Sequence, residues 1–258
     1  MMDKIHYGII GGSGFYRPDL LSQVREVKVA TPYGEIKPFI GKLGDMEVAF
    51  LPRHGQDHSV LPHQINFRAN LWGLHSLGVE RIVATTAVGG LTPELAPGTM
   101  VIVDQLLDFT KQRPLTFYED GDVQRAHIDM TEPYCQSMRL ELSKVAAKLN
   151  IPVQFGGCYV CFEGPRYETA AEIKMFRMLG GTVVGMTGIP ETVLARELGI
   201  CYANLSIITN WAAGITVAPL NHGEVKQVMA LNEGKLRDVI TNYIITADHE
   251  FHCACQKK

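Results

Sequence analysis

Several short clusters in this chain carry residue types that bind oxyanions. Gly11-Gly12-Ser13-Gly14 sets a serine hydroxyl among glycines, where a tight turn exposes backbone amides that cradle an anion. Three named motifs fail there. A dinucleotide-binding turn starting at Gly12 requires glycine where Arg17 stands; a P-loop requires Lys-Ser or Lys-Thr; a nucleophile elbow requires glycine at Phe15. An anion loop offering Ser13 survives, beside the plain alternative of a simple turn. Pro52-Arg53-His54-Gly55 offers a planar guanidinium fork that suits phosphate or carboxylate; the competing reading is a surface arginine with a structurally satisfied histidine.

Three further clusters supply hydroxyls, a carboxamide and small residues: Thr86-Ala87-Val88-Gly89-Gly90, Met186-Thr187-Gly188, and Thr209-Asn210-Trp211-Ala212-Ala213-Gly214. Glu168 follows Glu163-Gly164-Pro165-Arg166-Tyr167. It is either a carboxylate comfortable near a helix start or an acceptor for ring N–H groups. Metal chemistry is not expected. Cys158 and Cys161 have a chelating spacing but sit in a predicted strand, whose alternation sends them to opposite faces. His252-Cys253-Ala254-Cys255 suits adventitious metal or a tight disulfide, and is read first as a frayed tail.

These clusters need elements to hold them. Val- and Ile-rich runs predict strands at Ile5–Ile10, Glu47–Leu51, Arg81–Thr85, Met100–Val103, Val153–Cys161, Thr182–Met186 and Cys201–Ile208. Helices are predicted at Gln64–Leu77, Glu132–Leu149, Glu168–Leu179, Glu191–Leu198 and Gly223–Ile245. Thr169 three residues before Glu172 is a capping-box signal, and Pro190-Glu191 marks a first turn. Asp108–Met130 lacks a period and reads as a long loop, either functional or simply solvated. Alternating elements without repeat or linker predict one α/β domain over residues 1–258. Five of the strands then end in Gly, Ser, Thr, Arg, His or Asn, and ligands of α/β sheets gather beyond strand carboxyl ends. One polar anion site follows.

Bulk properties narrow the class. Twenty-four basic and 27 acidic residues leave a net charge of −3, which gives no footprint for nucleic acid or an anionic membrane. No apolar run approaches the roughly 18 residues that span a bilayer, and glycines interrupt the start before a signal-peptide core forms. Six cysteines among 258 residues are too few for a secreted disulfide framework. A soluble cytoplasmic protein is expected.

Taken in order, Gly11-Gly12-Ser13-Gly14, Arg53-His54-Gly55, Thr86-Ala87, Glu163-Gly164-Pro165-Arg166, Met186-Thr187 and Thr209-Asn210 resemble the trimeric purine nucleoside phosphorylase and methylthioadenosine phosphorylase family. The similarity runs from about Tyr7 to Ile245. It implies a central twisted mixed β-sheet flanked by helices, and cleavage of a purine nucleoside by inorganic phosphate. No metal or organic cofactor is implied; the partners are nucleoside, phosphate and further copies of the chain, as a trimer or a dimer of trimers. By matching motif, Ser13, Arg53, His54, Thr86, Ala87 and Thr187 would hold phosphate. Met186 would lie under the ribose, and Asn210, with Trp211 and Ala212, would meet the purine. His127 resembles a residue reaching a neighbouring subunit's sugar pocket.

Substrate choice follows from the same resemblance. Glu168 with Asn210 matches the enzymes acting on 6-oxopurines: Glu168 accepts from N1–H while the Asn210 amide serves O6 and N7. Asn210, Glu168 and His222 are the catalytic candidates. His222, in Asn221-His222-Gly223-Glu224-Val225, is similar to a histidine that binds the ribose 5′-hydroxyl, its plain alternative being a helix N-terminal residue. Inosine and guanosine are favoured. Pro62-His63-Gln64-Ile65-Asn66 looks closer to methylthioinosine relatives, which keeps S-methyl-5′-thioinosine and S-methyl-5′-thioadenosine as alternatives. A nucleoside hydrolase and a non-catalytic nucleotide-binding protein are the readings outside this reaction class.

Overall fold

Runs such as Tyr7-Gly8-Ile9-Ile10-Gly11 are apolar at consecutive positions, which suits strands buried on both faces. In a computed structural model, describing residues 5–57, 59–119, 127–216, 222–247, 253 and 255, they form the middle of an eleven-stranded mixed sheet. Strand β1 (Tyr7–Gly11) lies between two parallel neighbours, β6 (Met46–Pro52) and β7 (Arg81–Gly90). Strand β7 pairs in parallel with β13 (Cys201–Trp211), buried throughout except at Trp211. Beyond β13 lie β8 (Met100–Ile102), antiparallel, and β10 (Val153–Phe155). Beyond β6 lie β5 (Phe39–Leu43) and β2 (Ser22–Glu26), both antiparallel.

The sheet forks at the end of β7. There β12 (Val183–Gly185) pairs antiparallel with Gly89 and Gly90, and carries β11 (Cys158–Phe162) and β9 (Gln105–Phe109) in parallel. A separate ribbon joins β3 (Val29–Thr31) to β4 (Gly34–Ile36).

Strand alternation assigns neighbours to opposite sides. Ile10 packs with α1 (Phe67–Ser76) and α4 (Gly188–Glu197) through Phe67, Leu71, Leu74 and Leu194. Ile9 packs with α2 (Gln136–Lys148) and α5 (His222–Thr246) through Met138, Leu142, Leu236 and Ile240. The fifth described helix, α3 (Ala170–Met178), covers the forked branch, where Phe176 meets Phe162 and Phe109. The α/β reading with a central mixed sheet holds.

Four details differ from expectation. Val153–Cys161 is two strands, because Gly156 turns at φ +94° and Asp104 takes the Gly157 amide at 3.0 Å. Strands β2, β3, β4, β5 and β9 are additional to those predicted; β2 is mostly polar and is exposed at every residue. The long-loop reading fails at Asp108 and Phe109, which belong to β9, and residues 120–126 lie outside those described. The frayed-tail reading fails at Cys253 and Cys255, whose sulfurs gather with those of Cys135 and Cys201, all within 4.8 Å of one another.

Candidate active site

Loops and strand segments from β1, β6, β7, β12 and β13 converge on a cavity of about 370 Å³. Ser13, Arg53, His54, Thr86, Ala87, Glu168, Met186, Thr187 and Asn210 all line it. Nine residues spread over nearly two hundred positions of sequence therefore face one space. Two clusters do so differently than expected: Thr86–Gly90 and Thr209–Trp211 lie inside long strands rather than beyond their ends. What aims them is a register shift between Ile208 and Asn210, which leaves Thr209 as an extra residue opposite β7. Bulges of this kind re-aim side chains next to sites. The Thr209 hydroxyl has Asn210 Oδ1 at 3.0 Å and Val88 O at 3.3 Å as acceptors, and Asn210 Nδ2 donates to Trp211 O at 3.0 Å.

At one end sit the anion-binding types. The Gly12 amide donates to Thr85 Oγ1 at 2.9 Å. A Cβ on Gly12 would stand 2.3 Å from Thr85 O and 2.8 Å from Arg53 Nη1, so the loop and the guanidinium approach this closely only with glycine. Arg53 is fully buried; its Nε and Nη2 donate to Glu191 at 2.5 and 2.8 Å, and Nη1 donates to Thr85 O at 2.7 Å. Burial opposes the charge, but the Glu191 carboxylate outweighs it and holds Arg53 above its ordinary pKa. Tyr202 completes the group by donating to Glu191 Oε2 at 2.8 Å.

The neighbouring groups are also tied down. His54 Nδ1 donates to Val60 O at 2.8 Å. The Thr86 hydroxyl lies 3.0 Å from Asn204 Oδ1 and 2.8 Å from Ser206 Oγ, in a buried polar trio shared between β7 and β13. The Thr187 and Gly188 amides donate to Tyr159 Oη at 3.4 and 3.2 Å.

At the other end Glu168 is only 7% exposed. Burial pushes its carboxyl up to about 7; Glu172 adds to the rise and Arg166 opposes it. The helix that follows starts as the sequence predicts. Thr169 Oγ1 accepts from the Glu172 amide at 3.2 Å and Glu172 accepts from the Thr169 amide at 2.7 Å. Arg166 adds bonds of 2.9 and 2.8 Å and, with the cap, holds the Glu172 carboxyl down near about 2. Arg113 buttresses the segment from behind, donating to Glu163 O at 2.7 Å and Ile189 O at 2.6 Å.

Several expected residues are not brought to the cavity. Trp211 follows Asn210 on an extended strand and so points the other way, its indole donating to Pro93 O at 3.3 Å. Ala212 is buried against Leu91 and Phe176 instead. His127 is exposed and lines no part of the cavity. His222 opens α5, and its side chain lies outside what is described. Sequence reading missed Val60, Leu61, Tyr167 and Val225, which line the cavity, because isolated apolar residues carry no chemical signal. It also took Glu191 for a helix-start residue alone. Among the described residues, the one group spaced to hold a soft cation is Cys135, Cys201, Cys253 and Cys255, and none of these lines the cavity.

Residues 6–245 match the phosphorylase superfamily, and the chain belongs to it. The chain is 51% identical to a 6-oxopurine nucleoside phosphorylase from Pyrococcus furiosus, covering 96% of this chain and 95% of that protein. It is 47% identical to a probable S-methyl-5′-thioinosine phosphorylase from Methanothermobacter thermautotrophicus, covering 96% and 87%. Among solved structures, a methylthioadenosine phosphorylase from an Antarctic soil metagenomic library superposes with a TM-score of 0.90 at 36% identity, covering 98% and 91%. The resemblance drawn from the ordered motifs is borne out.

Proposed function

We propose that this chain cleaves 6-oxopurine nucleosides, inosine and guanosine, with inorganic phosphate, releasing purine base and ribose 1-phosphate. The observation that carries this reading is that Glu168 and Asn210 line the same cavity as Ser13, Arg53 and Thr187. An oxyanion at one end and a keto-bearing base at the other leave the sugar between them.

Cleavage passes through a sugar that carries positive charge at its anomeric carbon, flanked by departing purine and arriving phosphate. Ser13, Arg53, His54, Thr86, Thr187 and the backbone at Ala87 hold the phosphate, whose own charge stabilises the cation. Fixing both reactants in one cavity removes most of the entropic barrier to their meeting. Met186 lies under the ribose. Glu168 accepts from N1–H, Asn210 serves O6 and N7, and electron density moves into the purine as N7 takes a proton from solvent. A buried polar edge left unpaired is heavily penalised, so this pair rejects 6-aminopurines. His222 reads the 5′-hydroxyl, and His127 reaches the sugar pocket of a neighbouring copy in a trimer or a dimer of trimers. Phosphate is a co-substrate, and neither metal nor organic cofactor is called for. The setting is purine salvage in the cytoplasm.

One observation favours a second reading. Val60, Leu61, Pro62 and Val225 make part of the lining apolar, which suits a 5′-methylthio group and hence S-methyl-5′-thioinosine or S-methyl-5′-thioadenosine. The deciding experiment measures base release from inosine, guanosine, adenosine, methylthioinosine and methylthioadenosine, with and without phosphate. Release from inosine and guanosine that requires phosphate is the expected result. Phosphate-independent release means a hydrolase, binding without release means a non-catalytic protein, and faster turnover of a methylthio substrate means the second reading.

A further inference from the structure

The guanidinium of Arg53 has five N–H donors in a fixed plane. Three are engaged: Nε with Glu191 Oε1, Nη2 with Glu191 Oε2, and Nη1 with Thr85 O. One N–H therefore remains on each terminal nitrogen of Arg53, a residue at the phosphate end of the cavity wall. Glu191, unlike Arg53, lines no part of that cavity. Tyr202, on β13, fixes its second oxygen.

We propose that Glu191 is a positioning residue for phosphate: braced by Tyr202, it locks the plane of Arg53 so that the two remaining N–H groups meet the anion. This rests on the reading of the cavity as a phosphate site. Two features argue that orientation matters more than charge here. The carboxylate already matches the positive charge of Arg53, so the pair offers an arriving anion directed hydrogen bonds more than net attraction. Glu191 also stands in the first turn of α4, directly after Thr187, while Arg53 follows β6. One bidentate contact thus sets two phosphate-facing segments relative to each other. Glutamine in its place keeps one acceptor but turns an N–H donor toward a guanidinium N–H, and the plane is lost.

The test uses the full-length enzyme with Glu191→Gln and Tyr202→Phe, varying phosphate at saturating inosine and inosine at saturating phosphate. Loss of an orienting contact is expected to raise the phosphate KM about tenfold in Glu191→Gln and about threefold in Tyr202→Phe, with the inosine KM changed by less than about twofold. Thermal unfolding of each variant is followed alongside. A lowered melting temperature with an unchanged phosphate KM, or both KM values rising together, overturns the proposal by making the pair merely structural. If Glu191→Gln fails to fold, Tyr202→Phe decides on the same criteria. If the wild-type chain releases no base with phosphate, the functional reading fails separately; the rise in melting temperature with inorganic phosphate then measures binding directly. A smaller rise for the variants supports the positioning role, and an equal rise refutes it.

Discussion

Glu168 shows how far a residue's chemistry depends on its surroundings. In water its carboxyl would be ionised well below neutrality; buried at the base end of the cavity it titrates near about 7. Its folded pKa is therefore above the unfolded value, so the folded state binds an extra proton across the interval between them. The cost of burying it is absent below about pH 4.5 and complete above about pH 7. Accepting N1–H from a 6-oxopurine requires the ionised form. The kcat/KM for inosine is thus expected to rise through about pH 7 with Glu168 present. Glu168→Gln should lower kcat/KM by about 100-fold and flatten that rise. Phosphate titrates in the same region, so the difference between the two profiles carries the test; parallel profiles would exclude Glu168 as the acceptor.

At the scale of elements, helix α3 and the bulge in β13 do the aiming. The cap on α3 was legible in the sequence, because Thr169 and Glu172 act within one turn and need no distant partner. Removing it with Thr169→Ala should cost about 1 kcal/mol of stability, read by denaturant titration. Since Glu168 precedes the cap, the same variant is expected to raise the inosine KM while leaving that for phosphate unchanged. The bulge was not legible. Nothing local marks Thr209 as unpaired; only the ten-residue β7 running alongside makes it the extra residue. The same reason hid β2, a polar strand that exists because β5, itself paired to β6, offers it an edge.

For the whole molecule, the forked sheet matters most. Antiparallel pairing of Val184 with Gly89 brings the chain leading to Met186 and Thr187 back along β7, opposite the loop after β1. A phosphate site built from segments so far apart in sequence exists only in the folded chain. Inorganic phosphate at about a hundred times its Kd should therefore stabilise the fold by about 2.7 kcal/mol. Thermal unfolding against chloride of equal ionic strength checks this. A Ser13→Ala, Thr187→Ala double variant is expected to lose most of the gain, and an undiminished gain would put the anion elsewhere.

The residue types in each cluster, the cap on α3 and the order of the motifs were determined by the sequence alone. These are local properties: a hydroxyl among glycines, a threonine three places before a glutamate, an arginine after a buried strand. Tertiary structure decided the rest. It turned Trp211 away from the cavity while aiming Asn210 into it, added Val225 and Leu61 to the wall, and raised the carboxyl of Glu168. It also joined Arg53 to a glutamate 138 positions later. Burial and pairing across such distances depend on which surfaces meet, and that is a property of the packed chain rather than of any segment.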